Sequence, residues 1–336
     1  MNTIGEIYRL TAFGESHGAA MGGVVDGMPA GIDINVEQLQ QFVARRRPGS
    51  GAAGATARVE HDQVQLLSGI YQGKTLGTPI GFVVPNQGQR SDDYNQLAHV
   101  YRPSHADYTW DAKFGIRDPR GGGRASARWT VAAVVAGGLA LQVLNARGIT
   151  VASRIVQVGD AHDEAGMASA IEQAHRDGDT VGGIIECIVH GVPAGLGEPV
   201  FGKLHARLAA AMMSINAVHG FEYGDGFDMA AARGSQVMDC MERRADGSID
   251  TTSNHSGGIQ GGISNGEDIV MRVAFKPVPT LMRDLPCVDR EGNPVTVHPG
   301  GRHDSCVLSR ALPIVESMAA IVILDAYLIQ QTRHIH

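Results

Sequence analysis

Cysteine is scarce in this sequence, and its spacing excludes several kinds of site. Only four of the 336 residues are cysteines, Cys187, Cys240, Cys287 and Cys306, and no two of them form a C-x-x-C pair. That spacing argues against a zinc site and gives no support to a disulfide framework. We therefore expect reduced thiols in a cytoplasmic protein, without a metal site.

Long apolar runs and an excess of basic charge are also missing. The longest strongly apolar run, Met318 to Leu324, is too short to span a bilayer. The first residues lack the charged and apolar regions of a signal peptide. Lysine and arginine number 28 against 35 aspartate and glutamate residues, which gives a net charge of -7. We therefore expect neither a membrane protein nor a general nucleic-acid binder.

Apolar residues are plentiful enough for a sizeable core, at 43% of the chain. Within the chain, "VDGMPAGI" at Val25 to Ile32 is echoed by "VHGVPAGL" at Val189 to Leu196, about half the chain later. Both copies follow a strand-like run and precede a helical pattern. A turn that recurs by chance is the alternative. We expect one domain over 1–336 made of two related halves, about 1–165 and 166–336.

Hydrophobic periodicity predicts the main elements. A helix over about Val36–Arg46 would begin after Asn35 as its N-cap. Two further helices, about Ser126–Arg147 and Pro313–Gln331, are apolar on nearly every face and are therefore expected to be buried. Alternation in Asp268–Lys276 predicts a strand with one buried face. Together these patterns indicate an α+β fold, a β-α-β sandwich with central apolar helices between two largely antiparallel sheets.

A basic, glycine-rich stretch lies where the chain shows little periodicity. The segment from Val84 to Arg124 is predicted to be irregular, and irregular segments of that length are functional or disordered. Its last part overlaps "RGGGRASAR" at Arg120–Arg128, which leads into a buried helix. Glycine N–H groups, a helix N-terminus and guanidinium groups all favour a phosphate or a carboxylate. We favour an anion site, and a solvated basic loop is the alternative.

The stretch "GESHG" at Gly14–Gly18 fits the G-x-S-x-G pattern of serine hydrolases. In that fold several strands and an oxyanion loop precede the nucleophile, and Ser16 stands too near the start for them. His17 is the better candidate, because a glycine-bracketed turn can present an imidazole to a ligand as a proton donor. His105, in "YRPSHADYTW", is the second candidate.

A collinear series of motifs gives these stretches a common meaning. It runs from "FGESHG" and "RRRPG" through "RPSHADYT", "RDPRGGGRASAR", "SINAVHGFEYGDGFD", "NHSGGIQGGISNG" and "KPVPT" to "GRHDSCV" and "RALPIVESM". The series covers nearly the whole chain and closely resembles the chorismate synthase family. The resemblance implies a carbon–oxygen lyase of the shikimate pathway, which forms chorismate from 5-enolpyruvylshikimate 3-phosphate by anti 1,4-elimination of phosphate. It also implies a β-α-β sandwich with an internal repeat, assembled as a homotetramer.

The resemblance also implies reduced FMN as cofactor and assigns three proton-handling residues. His17 would protonate the departing phosphate, and His105 would protonate the reduced flavin near N1. Asp304 would accept the proton from flavin N5, directly or through substrate. NADPH would act only as an indirect reductant, through an external flavin reductase.

The same resemblance implies a set of binding residues. The arginines expected to hold anionic groups of the substrate or cofactor are Arg46, Arg102, Arg128 and Arg302. The expected flavin contacts, besides Arg302, are Arg124, Ala125, Ser126, Asn216, Ala217, Gly261, Lys276, Pro277, Val278, Pro279 and Thr280.

The chain departs from the family pattern in two places. Trp129 and Ala133 stand where the family usually has a glutamate and an arginine four residues apart. The stretch "GSGAAGA" after Pro48 lacks a basic residue that is usual there, and only Arg58 follows. A non-catalytic binder of flavin or of phosphorylated ligands, with the same fold, is therefore the alternative to an active enzyme.

Overall fold

The computed structural model describes residues 1–47, 62–86, 98–245, 247, 249–297 and 304–333. Most of its strands are short and belong to antiparallel sheets. In chain order the strands are β1 (Thr3–Ile4), β2 (Arg9–Gly14), β3 (Ala20–Asp26), β4 (Gln65–Leu66), β5 (Ile70–Tyr71), β6 (Lys74–Thr75), β7 (Ile80–Pro85), β8 (Val100–Tyr101), β9 (Thr150–Val158), β10 (Gly183–His190), β11 (Val218–Tyr223), β12 (Met241–Arg243), β13 (Ile249–Thr251), β14 (Ile259–Gln260), β15 (Ile263–Ser264), β16 (Ile269–Phe275), β17 (Leu285–Asp289) and β18 (Pro294–Val297).

The helices divide into two that are almost wholly apolar and four that are amphipathic or polar. In chain order they are α1 (Val36–Ala44), α2 (Asp107–Phe114), α3 (Thr130–Asn145), α4 (Glu164–Arg176), α5 (Leu204–Met213) and α6 (Leu308–Gln331). Short 3-10 turns at Arg120–Ala125 and Ala127–Trp129 lead into α3.

Helix α1 forms as its sequence predicts. The side chain of Asn35 accepts a hydrogen bond from the Gln38 N–H at 2.9 Å and so caps the helix. Leu39 and Val43 are buried on one face. The helix ends at Ala44, two residues before the predicted end, a difference that is common at helix termini.

Two antiparallel sheets make up most of the strand structure. The first has the order β1-β2-β3-β7-β4 and the second β11-β16-β10-β9. In the second sheet β10 and β16 pair from Gly183 opposite Phe275 to Val189 opposite Ile269. The side chains of β16 alternate as predicted. The buried ones are Ile269, Met271, Val273 and Phe275.

The two apolar helices form the centre of the core. Helix α3 contacts β2 and β3 of the first sheet, α6 contacts β9 and β10 of the second, and the two helices pack against each other. Helix α3 together with the 3-10 turn before it (127–145), and helix α6, are each long and apolar enough to cross a membrane by length and composition, but most of each is buried inside the protein. Burial on all sides explains why neither helix shows an apolar stripe. The mixed helices and antiparallel sheets agree with the predicted class.

The segment predicted to be irregular contains helix α2, which the periodicity did not indicate. Only Asp107 of its eight residues is buried, so the helix has no apolar stripe to detect. Ion pairs hold it instead, from Arg102 and Arg117 to Asp107. Gly115, at φ 72°, ends it in the left-handed conformation.

Helix α6 begins at Leu308, five residues before the predicted start at Pro313. Proline suits the first turn of a helix, and that preference suggested the later start. Leu308 and Ala311 are buried in the core. Their burial outweighs the single backbone hydrogen bond that Pro313 cannot donate.

Candidate active site

The "GESHG" stretch is a turn between two strands. It joins β2 to β3, which pair antiparallel from Arg9 opposite Asp26 to Gly14 opposite Met21. A hydrolase nucleophile would instead lie between a strand and a helix. The serine-hydrolase interpretation is therefore wrong, because Ser16 does not lie in a turn between a strand and a helix.

His17 lies in this turn, and its ring packs against the backbone of a glycine in the basic loop. It is only 6% exposed. A Cβ added to Gly121 would lie 2.2 Å from both Cε1 and Nδ1 of the His17 ring, and 2.8 Å from the Ser16 hydroxyl oxygen. Gly121 also has a φ of 59°. The imidazole can take this place only because position 121 is glycine.

The three glycines of "RGGGR" build a tight turn against the His17 turn. Gly121, Gly122 and Gly123 all have positive φ. The Ser16 N–H donates to the Gly123 carbonyl at 3.2 Å. The Ser126 hydroxyl caps the following 3-10 turn, Ala127–Trp129, by accepting a hydrogen bond from the Arg128 N–H. Two motifs that are more than 100 residues apart in the chain are therefore in direct contact.

The pKa values of two carboxyl groups near this turn are shifted in opposite directions. Burial, and to a lesser extent Asp118, raise the pKa of Glu15 against the opposing charge of Arg124. Asp118 itself accepts two hydrogen bonds from the Arg120 side chain. Hydrogen bonding from the Arg120 side chain is the largest cause of the lowered pKa of Asp118, and the charge of His17 lowers that pKa further. The turn thus holds a firmly ionised carboxylate close to His17.

Arg46 and Arg128 meet at a residue that sequence reasoning did not single out. The Asp62 carboxylate accepts from Arg46 Nη1 at 3.0 Å and from Arg128 Nη1 at 2.5 Å. Nε of Arg46 donates to the Thr130 hydroxyl, and Nε of Arg128 donates to Asn86 Oδ1, both at 3.0 Å. The structure therefore brings together two of the predicted anion-binding arginines.

Arg102 lies beside the glycine turn and is fixed by α2. Its Nε and Nη2 bond to the Asp107 carboxylate at 2.8 and 2.9 Å. Nη2 is also 3.7 Å from the place a Cβ on Gly122 would take. Burial tends to raise the pKa of Asp107, but the hydrogen bonds and charge of Arg102 outweigh it and lower that pKa. Asp107 is thus an ionised anchor for the arginine.

His105 reaches the "KPVPT" loop. Its Nδ1 is 2.8 Å from the Pro103 carbonyl and its Nε2 is 3.3 Å from the Thr280 hydroxyl. A carbonyl only accepts, so Nδ1 carries the proton and Nε2 of the neutral ring accepts from Thr280. Burial, then the charge of Arg102, and more weakly Lys276, lower the pKa of His105.

Most of the remaining predicted flavin contacts are adjacent in space. The Asn216 side chain donates to the Ala125 carbonyl at 2.9 Å and accepts from the Trp129 indole N–H at 2.7 Å. The Lys276 N–H donates to the Ala217 carbonyl at 2.8 Å. Trp129, a departure from the family pattern, thus orients a predicted contact residue directly. Farther along the loop, the carbonyl of Val278 accepts from a threonine hydroxyl, that of Thr180, at 2.7 Å.

Other predicted residues of the loop and of its neighbourhood are less closely tied. Pro277 lies against Gly182, whose added Cβ would be 2.9 Å from the proline nitrogen, and Pro279 is partly buried in the same loop. Gly261 forms the β14–β15 turn at φ 64°, and an added Cβ would meet no other described residue within 4 Å apart from its chain neighbours. Open space there suits a ligand.

Arg124 and Asp304 both have well-defined partners. Arg124 Nη2 donates to the Ala12 carbonyl at 2.7 Å, while its buried Nη1 has no hydrogen-bond partner among the described residues. Asp304, 9% exposed, is paired with Arg310, whose Nε donates to the Arg46 carbonyl at 3.2 Å. Asp304 is thereby connected to the arginine pair.

Part of the expected site lies outside the described residues. This applies to Arg302 and to the stretch 48–61, which includes the glycine-rich departure from the family pattern and Arg58. The residues that sequence reasoning missed are Asp62, Asn86, Thr130 and Arg310. Arg310 opens the "RALPIVESM" motif, but the motif alone assigns it no role, and the other three stand outside the quoted motifs. Each of the four was missed because its contact is with another side chain of the site.

The comparisons with known proteins agree with one another. The family model described as chorismate synthase matches residues 8–328. The chorismate synthase of Parabacteroides distasonis is 52% identical, with 99% of each chain covered. That of Azobacteroides pseudotrichonymphae is 53% identical, over 98% of this chain and 99% of the other. A crystal structure of chorismate synthase superposes with a TM-score of 0.76 at 29% identity, over 97% of this chain and 93% of the other.

Proposed function

This chain belongs to the chorismate synthase family, and from that premise we propose that it converts 5-enolpyruvylshikimate 3-phosphate to chorismate with reduced FMN bound. The reaction breaks the C3–O bond to phosphate and removes a proton from C6, so that chorismate and phosphate are the products. The substrate carries two carboxylates and a phosphate. It therefore needs several fixed cations and a proton donor near the leaving group.

The observation that carries the proposal is the contact between the His17 turn and the arginine–glycine turn. His17 is packed on Gly121, next to glycines that open the backbone to an anion. Arg128 is connected to the His17 turn through Asn86, whose Nδ2 donates to the carbonyls of Glu15 and Gly18. A phosphate placed among these groups would lie beside both a proton donor and a fixed cation.

His17 acts in this proposal as the general acid. The departing phosphate gains a proton from the imidazole as the C3–O bond breaks. The low exposure of the ring, 6%, keeps water from competing for that proton. Arg46, Arg102 and Arg128 hold the anionic groups of the substrate and offset the charge that develops on the phosphate.

His105 acts as a second proton-handling residue, at the cofactor side of the site. The Pro103 carbonyl holds the Nδ1 proton, so the lone pair of Nε2 points toward Thr280. Because the pKa of His105 is lowered, its imidazolium form is a stronger acid than an ordinary histidine. Asp304, oriented by Arg310, would accept the proton from flavin N5, directly or through substrate.

The residues present fit a flavin. Buried Arg124 Nη1 has no partner among the described residues, and the Gly261 turn leaves open space. The groups that would hold the cofactor are Arg124, Ala125, Ser126, Asn216, Ala217, Gly261, Arg302 and the loop Lys276–Thr280. Reduced FMN, when bound, would supply the electron that helps phosphate leave and would recover it with a hydrogen. We expect an external reductase to supply the reduced flavin, with NADPH as the indirect reductant.

We also propose that the chain consists of two related halves, about 1–165 and 166–336, in one β-α-β sandwich. The repeated stretches support this. Gly27 and Gly191 occupy matching places and have φ of 76° and 74°. A Cβ on either would meet a backbone carbonyl oxygen, at 1.8 Å in the first half and 2.3 Å in the second. Each stretch follows an inner strand, β3 or β10, of its own sheet. A homotetramer in the cytoplasm is part of the same proposal.

The test is an anaerobic assay of phosphate release. In the first mixture the protein is incubated with substrate and chemically reduced FMN. In the second it is incubated with substrate, oxidised FMN and NADPH, without a chemical reductant. We expect phosphate and chorismate in equal amounts in the first mixture and little of either in the second. Binding of FMN and substrate without any phosphate release under reducing conditions would favour the non-catalytic alternative.

A variant pair tests the role of His17. His17→Gln is expected to lower the rate of phosphate release by about 100-fold or more while substrate binding is retained, because only the proton donor is lost. His162→Gln, at an exposed histidine to which the proposal gives no role, is the matched control and should behave as wild type. Equal rates in the two variants would contradict the role.

A further inference from the structure

The stretch around Asp62 has no recognisable motif, yet its carboxylate is among the most enclosed charged groups of the described chain. The side chain is 0% exposed, and its partners Arg46 and Arg128 are 4% and 10% exposed. A carboxylate is buried so completely only when it is paired. Here one carboxylate lies between two guanidinium groups and keeps two like charges close together.

The backbone at Asp62 is held in an unfavourable conformation. Its φ is 41°, in the left-handed region that most side chains avoid. The Gln40 side chain of α1 holds the backbone on both sides of this position. Its Nε2 donates to the Asp62 carbonyl and its Oε1 accepts from the Val64 N–H, both at 2.9 Å. Strain of this kind persists where the surroundings over-determine a position, and it is common at functional sites.

The contacts of Asp62 define the direction of both guanidinium groups. Each arginine uses Nη1 for Asp62 and Nε for a neutral oxygen, that of Thr130 for Arg46 and that of Asn86 for Arg128. A planar guanidinium that is bonded at two of its three nitrogens cannot rotate. Both groups are thus set before any ligand arrives.

We propose that Asp62 is a positioning residue of the anion site, whose buried carboxylate holds Arg46 and Arg128 in the orientation that receives the anionic groups of the substrate. The inference rests on the proposed function, since it takes these arginines to bind substrate. Asp62 does not itself touch substrate. Its effect is to reduce the ordering that binding would otherwise require.

The test compares Asp62→Asn with Asp26→Asn. The first variant keeps the shape of the side chain and replaces one acceptor oxygen with an NH₂ group that faces a cation. The second removes the charge of a half-exposed pair with Arg9, at the end of the β2–β3 pair opposite the His17 turn. Substrate affinity is measured by calorimetry with oxidised FMN, FMN affinity by its absorbance change, and kcat and KM by anaerobic phosphate release.

We expect Asp62→Asn to raise the substrate Kd and KM by at least about tenfold, with a smaller change in kcat and an FMN Kd within about twofold of wild type. Asp26→Asn should match wild type in all four values. An unchanged substrate KM in folded Asp62→Asn would overturn the inference. So would an equal loss of FMN and substrate affinity, which is what general loosening of the fold predicts.

If Asp62→Asn does not fold, Asp62→Glu decides the question. It keeps the charge but moves the carboxylate by about one carbon–carbon bond, so a positioning role predicts a raised substrate KM at nearly normal kcat. A wild-type KM in this variant would overturn the inference. Failure of the wild-type protein to bind or convert substrate would instead overturn the proposed function, so the two failures are distinguishable.

Discussion

Gly121 and His17 pack closely against each other in the candidate site. The imidazole occupies the space that a side chain at position 121 would need. Glycine is required there twice over, because the φ of 59° is also unfavourable for other residues. A histidine confined in this way has little freedom to turn away from a ligand, which is what proton transfer at a fixed atom needs.

Gly121→Ala is expected to impair catalysis more than stability. The added methyl group must push the His17 ring aside, and a displacement of that size costs about 100-fold in kcat/KM. Gly73→Ala is the matched control. Gly73 has a similar φ of 77° but open space around its Cα, so it shares the backbone cost of about 1–2 kcal/mol without the clash. The measurements are anaerobic phosphate release and thermal unfolding. Similar activity in both variants would show that the contact does not matter.

Single residues also mark the limit of what the sequence can predict. His17 could be found because two glycines bracket it and the chain order excludes Ser16 as a nucleophile. Asp62 could not, because its importance comes from Arg46 and Arg128, which are 16 and 66 residues away. A buried charge without a local motif becomes visible only when its partners are placed around it.

At the level of whole elements, α3 and α6 approach each other closely. A Cβ on Gly137 of α3 would lie 2.2 Å from Cβ and 2.4 Å from Cα of Ser317. The two helices thus approach with almost no side chain between them at this point. Their relative position also sets the first sheet against the second, since each helix packs on one of the sheets.

Gly137→Ala is expected to destabilise the protein. Alanine favours a helix by about 1 kcal/mol over glycine, but a clash with the backbone of α6 costs about 1–3 kcal/mol or more. Gly138→Ala gains the same propensity and meets only the ends of the Leu39 and Phe42 side chains, which can move. We therefore expect a lower urea midpoint for the first variant than for the second. The reverse order would contradict the close packing.

Elements were predictable where burial follows a regular pattern. The cap of α1 and the alternation of β16 are local properties, so the sequence predicts them closely. Helix α2 was missed because ion pairs and a glycine C-cap stabilise it in place of an apolar face. The start of α6 was missed because the local preference of Pro313 gave way to burial of the preceding residues.

For the molecule as a whole, a single carboxylate joins the beginning of the described chain to its last helix. Asp325 of α6, 2% exposed, accepts hydrogen bonds from the N–H groups of Glu6, Ile7 and Tyr8 at 2.9, 2.7 and 2.9 Å. Arg207 of α5 adds an ion pair at 3.4 Å. The first turn before β2 therefore depends on a residue more than 300 positions away.

Asp325→Asn is expected to lower the free energy of unfolding by about 3 kcal/mol. An amide can accept only some of the three hydrogen bonds, and its NH₂ group faces donors, so buried N–H groups lose their partner. Asp33→Asn removes an exposed pair with Lys74 and should change stability by about 0.5 kcal/mol or less. Urea unfolding measures both. A change of similar, small size in the two variants would show that the three N–H contacts contribute little.

The central position of α6 has a consequence for synthesis on the ribosome. Every other described element is translated before it, yet α3 depends on it for one of its apolar faces. At about 5–20 residues per second, the first sheet and α3 wait tens of seconds for their partner. During that interval an apolar helix surface is open to other chains and to chaperones. We expect chaperones to capture nascent chains that end before α6, and to release chains in which α6 has emerged.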